Sequence, residues 1–364
     1  MILHRYFARR FLLSFLAVLA VFGLFQFLLD LIEELRQAAD GMRFAQVAQL
    51  SALKLPAGLY QIMPLVMILS TIALFLALAR SSELVVARAA GRSGLVVLSA
   101  PVLVSALIGA VTVATMNPIV AATSQRYTDL REVLRSGEAS TLSIGSEGLW
   151  LRQGGAEGQA VIRAARADAD ATLLYDVSIV TYAPGGGPDR RIVAREAALE
   201  EGAWRLRDAR VWPLTPGLNP QLGARDHETL RLPSSLTQEN IRDRFGRPSD
   251  VAIWDLPAFI EELQVAGFSA RRHVVWLQME IARPVFLVSM VLIGAAFTMR
   301  PARAGGTGLS VLAAVLIGFG LYYVRNFAQI MGENGQLSPA LAAWVPPVAS
   351  LLLALGLVLQ REDG

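Results

Sequence analysis

Few residues of this chain are of the types that usually carry catalytic or nucleotide chemistry, and their spacing excludes most of that chemistry. Lys54 is the only lysine, and Leu53 precedes it. A phosphate-cradling loop of the form G-x-x-x-x-G-K-S/T needs glycine at that place, so the chain has no such nucleotide site. The histidines His4, His227 and His273 stand far apart, without zinc spacing. Cysteine is absent, which removes disulfides, thiolate metal sites and a cysteine nucleophile. Asp168 and Asp170 lack the other ligands of a calcium loop, and no serine sits in a G-x-S-x-G context. What remains is a sparse set of ionisable residues inside apolar sequence: Asp30, Glu280 with Arg283, and Arg325. Glu280 and Arg283, three apart, share one helical face. They either anchor their helix as a pair or border a path for a polar lipid.

The elements that position these residues are membrane spans. The chain has 364 residues, 54% hydrophobic and only 17% charged, with net charge +3; soluble domains carry roughly 25% charge. Mean hydropathy is +0.47, too apolar for a water-soluble globule. So small a net charge calls for no nucleic-acid partner. Six apolar stretches follow: Phe11–Leu29, Pro56–Ala79, one within Ser93–Gln125, one centred on Pro284–Met299, one on Ala304–Val324 and one on Leu337–Gln360. Each supplies most of the ~20 apolar residues that cross a bilayer as a helix. The fourth is expected to begin earlier, near His273. The first lacks a small-x-small cleavage site and reads as a retained span rather than a signal peptide.

Basic residues set the orientation. With the N-terminus inside, the cytoplasmic ends hold Arg5, Arg9, Arg10, Arg80, Arg88, Arg92, Arg300, Arg303 and Arg361, and the opposite short loops only Arg36, Arg43 and Lys54. Both termini are therefore expected to be cytoplasmic. The insertion at 126–270, between spans contained in 1–125 and 271–364, is expected outside. It alternates at Leu149–Arg152, Val161–Arg166, Val177–Tyr182, Ile192–Glu196, Trp204–Leu206, Arg210–Trp212 and Thr229–Leu232, between Gly/Pro clusters. Such period-two patterning predicts an antiparallel β-domain, a sandwich or jelly roll. A short amphipathic helix, Leu256–Ala266, is predicted before the fourth span, with Asp255 as its cap and Gly267 as its stop.

The cytoplasmic segment from Arg80 to Gly91 is the most informative short stretch. Ser81 or Ser82 is a cap, Glu83 lies in the first turn, and Gly91 ends the helix. Its small residues fit either a connector on the membrane surface or a coupling helix seated in a groove on a cytoplasmic motor, with Glu83 facing a basic group there.

These features resemble the YjgP/YjgQ permease family, the paired LptF/LptG subunits of the bacterial lipopolysaccharide exporter. The resemblance covers nearly the whole chain. It is carried by Arg5-Tyr6 at the first span, by Ser82-Glu83-Leu84-Val85-Val86 through Ala90-Gly91, and by the three-plus-three layout around a β-domain. Glu147-Gly148-Leu149-Trp150-Leu151-Arg152 and Arg300-Pro301-Ala302-Arg303 with Gly305-Gly306 add to it. It implies an ABC transporter subunit of a Gram-negative inner membrane: six helices with a periplasmic β-jelly-roll domain between helices 3 and 4. The implied partners are an LptF-like permease, an LptB-like ATPase dimer that binds ATP and magnesium, and a single-span LptC-like protein. The chain itself is then non-catalytic and holds no cofactor.

The resemblance further implies an ATPase-coupling helix comprising Glu83, Leu84, Val85, Val86, Ala87, Arg88, Ala90 and Gly91. It implies lipid-A phosphate contacts among Arg36, Arg126 and Arg131, whose guanidiniums donate paired hydrogen bonds. Asp30, Glu33 and Glu34 make the neighbouring end of the first span acidic, which opposes that role. Ile62, Met63, Phe319 and Tyr322 are the expected apolar wall for acyl chains. Two rival readings are a mechanotransmitting subunit that moves no lipid and a membrane-bound envelope enzyme. Bound lipopolysaccharide separates the first from an exporter, and turnover by the isolated chain identifies the second.

Overall fold

The computed structural model describes residues 2–37, 43–89, 91, 93–136, 142–145, 148–155, 158–167, 172–183, 187–200, 202–214, 219–234, 247–265, 269–299 and 307–363. Six helices among them are long and apolar enough to cross a membrane. They are α1 (Ile2–Gln37), α2 (Phe44–Arg80), a composite third span, α7 (Arg271–Thr298), α8 (Thr307–Glu333) and α9 (Pro339–Asp363). The short α3 (Glu83–Ala89) follows α2. The third span runs from α4 (Gly94–Val111) through a π-helical turn, Thr112–Met116, into α5 (Asn117–Ser136). The helices outrun the apolar stretches that announce them: α1 and α2 continue one to three turns into polar sequence, and Lys54 lies inside α2.

Two compact units are present: Met1–Arg131, Ala252–Trp254 and Arg271–Gly364 form one, and Glu132–Val251 with Asp255–Ala270 the other. In the first, α7 is the most buried span, while α1 and α8 leave most of their apolar surface uncovered. The core gathers Phe11 of α1, Met67 and Phe75 of α2, Val97 of α4, and Phe286 and Met290 of α7. Close helix approach rests on glycine. A Cβ at Gly109 would meet the Cα of Pro284 at 2.8 Å, and one at Gly294 the Cβ of Thr71 at 2.9 Å. Arg271 donates from Nε to the Gly332 carbonyl at 2.7 Å and from Nη2 to the Leu337 carbonyl at 2.5 Å, closing the α8–α9 turn onto α7.

The second unit holds seven strands: β1 (Leu142–Gly145), β2 (Gly148–Gly155), β3 (Gly158–Ala167), β4 (Leu173–Tyr182), β5 (Pro188–Glu200), β6 (Ala203–Pro213) and β7 (Arg225–Pro233). The antiparallel class and its place between the third and fourth spans match the expectation. The order is a sequential meander, β1 to β7, with every neighbour antiparallel. A jelly roll's long crossovers do not occur among the described residues. One face is dry, built by Leu174, Val177, Ile179, Ile192, Ala197, Trp204 and Leu206. The register stacks them, with Ile179 opposite Ile192 and Trp204 opposite Leu232. The other face carries cross-strand pairs such as Arg210 Nε–Asp226 at 2.9 Å and Arg195–Asp208 at 3.2 Å.

Two strand assignments change. Trp204–Leu206 and Arg210–Trp212 belong to the single strand β6; the polar pair Arg207-Asp208, with Asp208 at φ 49°, interrupts the alternation without ending the pairing. β1 was not anticipated. The helix before the fourth span is α6 (Leu256–Val265), which buries Leu256, Ile260 and Leu263, and carries proline in its first turn. Ala266 and Gly267 lie outside the described residues.

Candidate functional site

The membrane unit carries polar groups at three levels. At one end, α1 and α3 are fastened together. Ser82 at φ 60° turns the chain sharply out of α2, and Gly91 at φ 75° follows α3, a backbone state that glycine tolerates without strain. Glu83 then receives the Tyr6 hydroxyl at 2.7 Å, Arg10 Nη2 at 3.2 Å and the Ser81 hydroxyl at 2.8 Å, and Arg10 stacks 5.1 Å from the Tyr6 ring. Burial alone would push the Glu83 carboxyl up; the hydrogen bonds from Tyr6 and Ser81, with the Arg10 charge, hold it below the usual carboxylate range.

Glu83 therefore bonds within its own chain while its side chain stays partly exposed. Leu84 is buried as the anchor of α3, whereas Val85 and Val86 are 53% and 66% exposed. Among the described side chains of α3, the most outward are thus the apolar Val85 and Val86. Ala87 and Arg88 belong to the same helix, but their side chains lie outside the described residues, as does Ala90 as a whole. Of the motif Glu147–Arg152 only Glu147 lies outside them, Gly148–Arg152 opening β2, and the motif from Arg300 to Gly306 lies outside them altogether.

At the opposite end, the acidic stretch of α1 finds its counter-charges within the chain. Asp30 and Glu34 are buried, and Lys54 Nζ lies 3.4 Å from the first and 4.0 Å from the second. Tyr127 donates to Glu34 at 2.6 Å, Arg131 donates to the Tyr127 hydroxyl at 2.8 Å, and Arg131 also binds Gln37. Arg36 is highly exposed and lies 3.2 Å from Glu33. Arg126 is exposed on α5. Of the three expected phosphate ligands, Arg131 is therefore built into a lysine-centred network, while Arg36 and Arg126 present themselves outward.

Between these ends lies a buried cluster. Arg283 clasps both oxygens of Glu280, Nε to Oε2 at 2.9 Å and Nη2 to Oε1 at 2.5 Å, and lies 4.0 Å over the Tyr60 ring. Tyr60 donates its hydroxyl to Glu280, and Asn117 approaches that hydroxyl at 3.5 Å. The side-chain Oδ1 of Asn117 accepts from the Ile253 backbone N–H at 2.8 Å, and Trp254 Nε1 donates to the Ala114 backbone carbonyl inside the π turn at 3.1 Å. A polar network thus joins α2, α5 and α7 to residues 252–254. Arg325 of α8 sits 5.5 Å over the Phe286 ring beside it. Of the two readings of Glu280 and Arg283, the pairing is present, and it reaches further than a helix anchor requires.

Next to this cluster, α2, α7 and α8 line a half-open cleft of about 140 Å³ bordered by Gln61, Ile62, Leu65, Ile68, Met290, Val315, Phe319 and Tyr322, among others. Three of the four expected wall residues, Ile62, Phe319 and Tyr322, line it. Met63 does not: it is 1% exposed and packs in the helix core. Tyr60 and Asn117 are not among the residues that the sequence marks, and Tyr6 and Arg10 are marked there only as the opening of the first span and as a cytoplasmic charge. Their partners lie 57 to 220 residues away, beyond the reach of any local spacing rule.

Comparison with known proteins agrees with this arrangement. The family model "Lipopolysaccharide export system permease LptF/LptG" matches residues 5–360. The chain is 23% identical over 367 residues to the lipopolysaccharide export system permease protein LptG of Haemophilus influenzae, covering 99% of each. The match takes in six spans, the inserted meander, α3 and the buried Glu280–Arg283 cluster; the chain belongs to the LptF/LptG family of lipopolysaccharide export permeases.

Proposed function

We propose that this chain is the non-catalytic subunit of an ATP-driven exporter that extracts lipopolysaccharide from the inner membrane, its energy coming from a separate ATPase. The observation that carries this reading is α3. It is a short helix fastened by Glu83 to Tyr6 and Arg10, with Leu84 inward and an apolar Val85-Val86 face left uncovered. A partner seated on that face transmits force directly to α1 and α2. The absence of a phosphate loop supports placing ATP and magnesium on the partner, in the manner of an LptB-like dimer.

The arginine bias supports cytoplasmic termini and a β-domain on the periplasmic side. The cleft beside Ile62, Phe319 and Tyr322 supports acyl-chain contact, with an LptF-like permease supplying the rest of the passage. β1 and β7 end the strand order, which supports strand addition to a periplasmic bridge that includes an LptC-like protein.

Co-purification with an ATPase and second permease, followed by ATP-hydrolysis measurements, tests this. Hydrolysis is expected to respond to lipopolysaccharide, and Glu83→Arg to abolish that response by repelling Arg10 and releasing α3. Hydrolysis insensitive both to lipopolysaccharide and to Glu83→Arg would overturn the reading.

A further inference from the structure

Three residues of the chain between β7 and α6 belong with the membrane unit. Ala252–Trp254 cluster with the spans, while Glu132–Val251 before them and Asp255–Ala270 after them form the other unit. Ile253 is buried, and its backbone N–H donates to a side chain, Asn117 Oδ1, at 2.8 Å. A buried N–H satisfied by a single side chain is tied to that side chain, since losing the acceptor leaves it orphaned.

The third span is prepared to receive this segment by its own sequence. Pro118 has no N–H, so the Ala114 carbonyl, four residues earlier, loses its α-helical donor. The helix widens there into the π turn, where the Asn117 N–H reaches back five residues to the Thr112 carbonyl; single π turns of this kind recur at functional sites. Trp254 Nε1 donates to that same Ala114 carbonyl at 3.1 Å. Trp254 is 69% exposed, so little apolar burial holds it, and the hydrogen bond to a carbonyl released by proline gives the indole its place.

Asn117 also engages the interior of the spans. It is buried, and with its oxygen taken by Ile253 its Nδ2 approaches the Tyr60 hydroxyl at 3.5 Å, which in turn donates to Glu280. One side-chain amide thus stands between the ion pair of α7 and a backbone segment covalently continuous with the β-domain unit. We propose that Asn117 and Trp254 are positioning residues for transport: they clasp residues 252–254 to the π turn, so that a displacement of α2 or α7 at Glu280 is passed to the chain leading into the β-domain. This rests on the export reading above and adds to it a route along which helix movement reaches that domain.

The test first follows amide hydrogen exchange of residues 252–254 in the purified full-length chain, relative to core amides of α7. Tyr60→Phe removes only the hydroxyl between Asn117 and Glu280, and is expected to speed exchange of 252–254 about tenfold although Tyr60 lies on another helix. Trp254→Phe keeps the ring, removes the donor and is expected to do the same. Pro118→Ala gives the Ala114 carbonyl a helical donor that competes with the indole. It is expected to match or exceed the wild type in melting temperature, because proline leaves a helix interior, yet to speed exchange as Trp254→Phe does. The two together are expected to be no faster than either alone. In the complex reconstituted with an ATPase and a second permease, Trp254→Phe and Pro118→Ala are expected to hydrolyse ATP at the wild-type rate while delivering about tenfold less lipopolysaccharide per ATP.

Exchange of 252–254 that ignores Tyr60→Phe, or that rises only in step with the α7 core, overturns the proposal. So does delivery per ATP unchanged by both Trp254→Phe and Pro118→Ala. Hydrolysis and delivery falling together in these variants does so as well, since a merely structural bond lowers the amount of working complex. If the wild-type complex hydrolyses ATP but delivers no lipid, the export reading fails; the clasp then stands if Tyr60→Phe speeds exchange at 252–254 and falls if it does not. If the wild type delivers lipid and that exchange response is missing, the export reading stands and the clasp falls.

Discussion

Replacing Glu280 with alanine is expected to cost the membrane unit about 3–5 kcal/mol, the range found when one member of a buried pair is removed. The side chain is fully buried and accepts from Arg283 twice and from the Tyr60 hydroxyl. Its loss strands Arg283 beside Arg325, two cations with no carboxylate between them. It also frees Tyr60 from the network that reaches Asn117 and the Ile253 backbone. The double substitution Glu280→Met with Arg283→Met is expected to be less damaging than Glu280→Ala alone, because both charges leave together. Thermal unfolding in detergent reads both. A single variant as stable as the wild type would mean that the pair is hydrated and has no role in the packing.

Val86→Glu is expected to have the largest effect on activity with almost none on stability. Val86 is two-thirds exposed on α3, so the change should stay within about 0.5 kcal/mol in melting experiments. If an ATPase groove covers that face, the new carboxylate is buried without a partner. A penalty of about 2–3 kcal/mol then weakens the complex by more than tenfold. ATPase capture by the purified permease pair checks this. Capture equal to the wild type would show that another surface receives the push. Leu84→Ala makes the contrast, since Leu84 faces inward and its truncation loosens α3 from within.

The membrane layout was largely legible because twenty apolar residues in a row admit one structure in lipid. Where the helices end was not, since α1 and α2 run on through polar sequence that the apolar pattern cannot mark. Period-two alternation located the β-domain, but alternation fixes faces and not strand order, so the meander became visible only in the register. Arg207-Asp208 similarly splits the alternation into two stretches, because local polarity does not reveal that the pairing resumes beyond it.

Among the polar residues, Glu280 and Arg283 were legible as a pair because three residues bring two side chains onto one helical face. Tyr60, Asn117 and Arg325 were not linked to them, since their proximity is made by helix packing. The acidic end of α1 looked hostile to phosphate until Lys54 was placed between Asp30 and Glu34. Arg5-Tyr6 and Ser82-Glu83, quoted as separate signatures, turn out to be neighbours: the Tyr6 hydroxyl donates directly to Glu83.

The most direct test of the account reconstitutes this permease with its partners in lipopolysaccharide-loaded vesicles and measures lipid delivered to a soluble acceptor. The account predicts delivery only with ATP and an ATPase partner able to hydrolyse it, and neither hydrolysis nor delivery by this chain alone. ATP consumption by the isolated chain, or delivery that persists with a hydrolysis-dead partner, would contradict it.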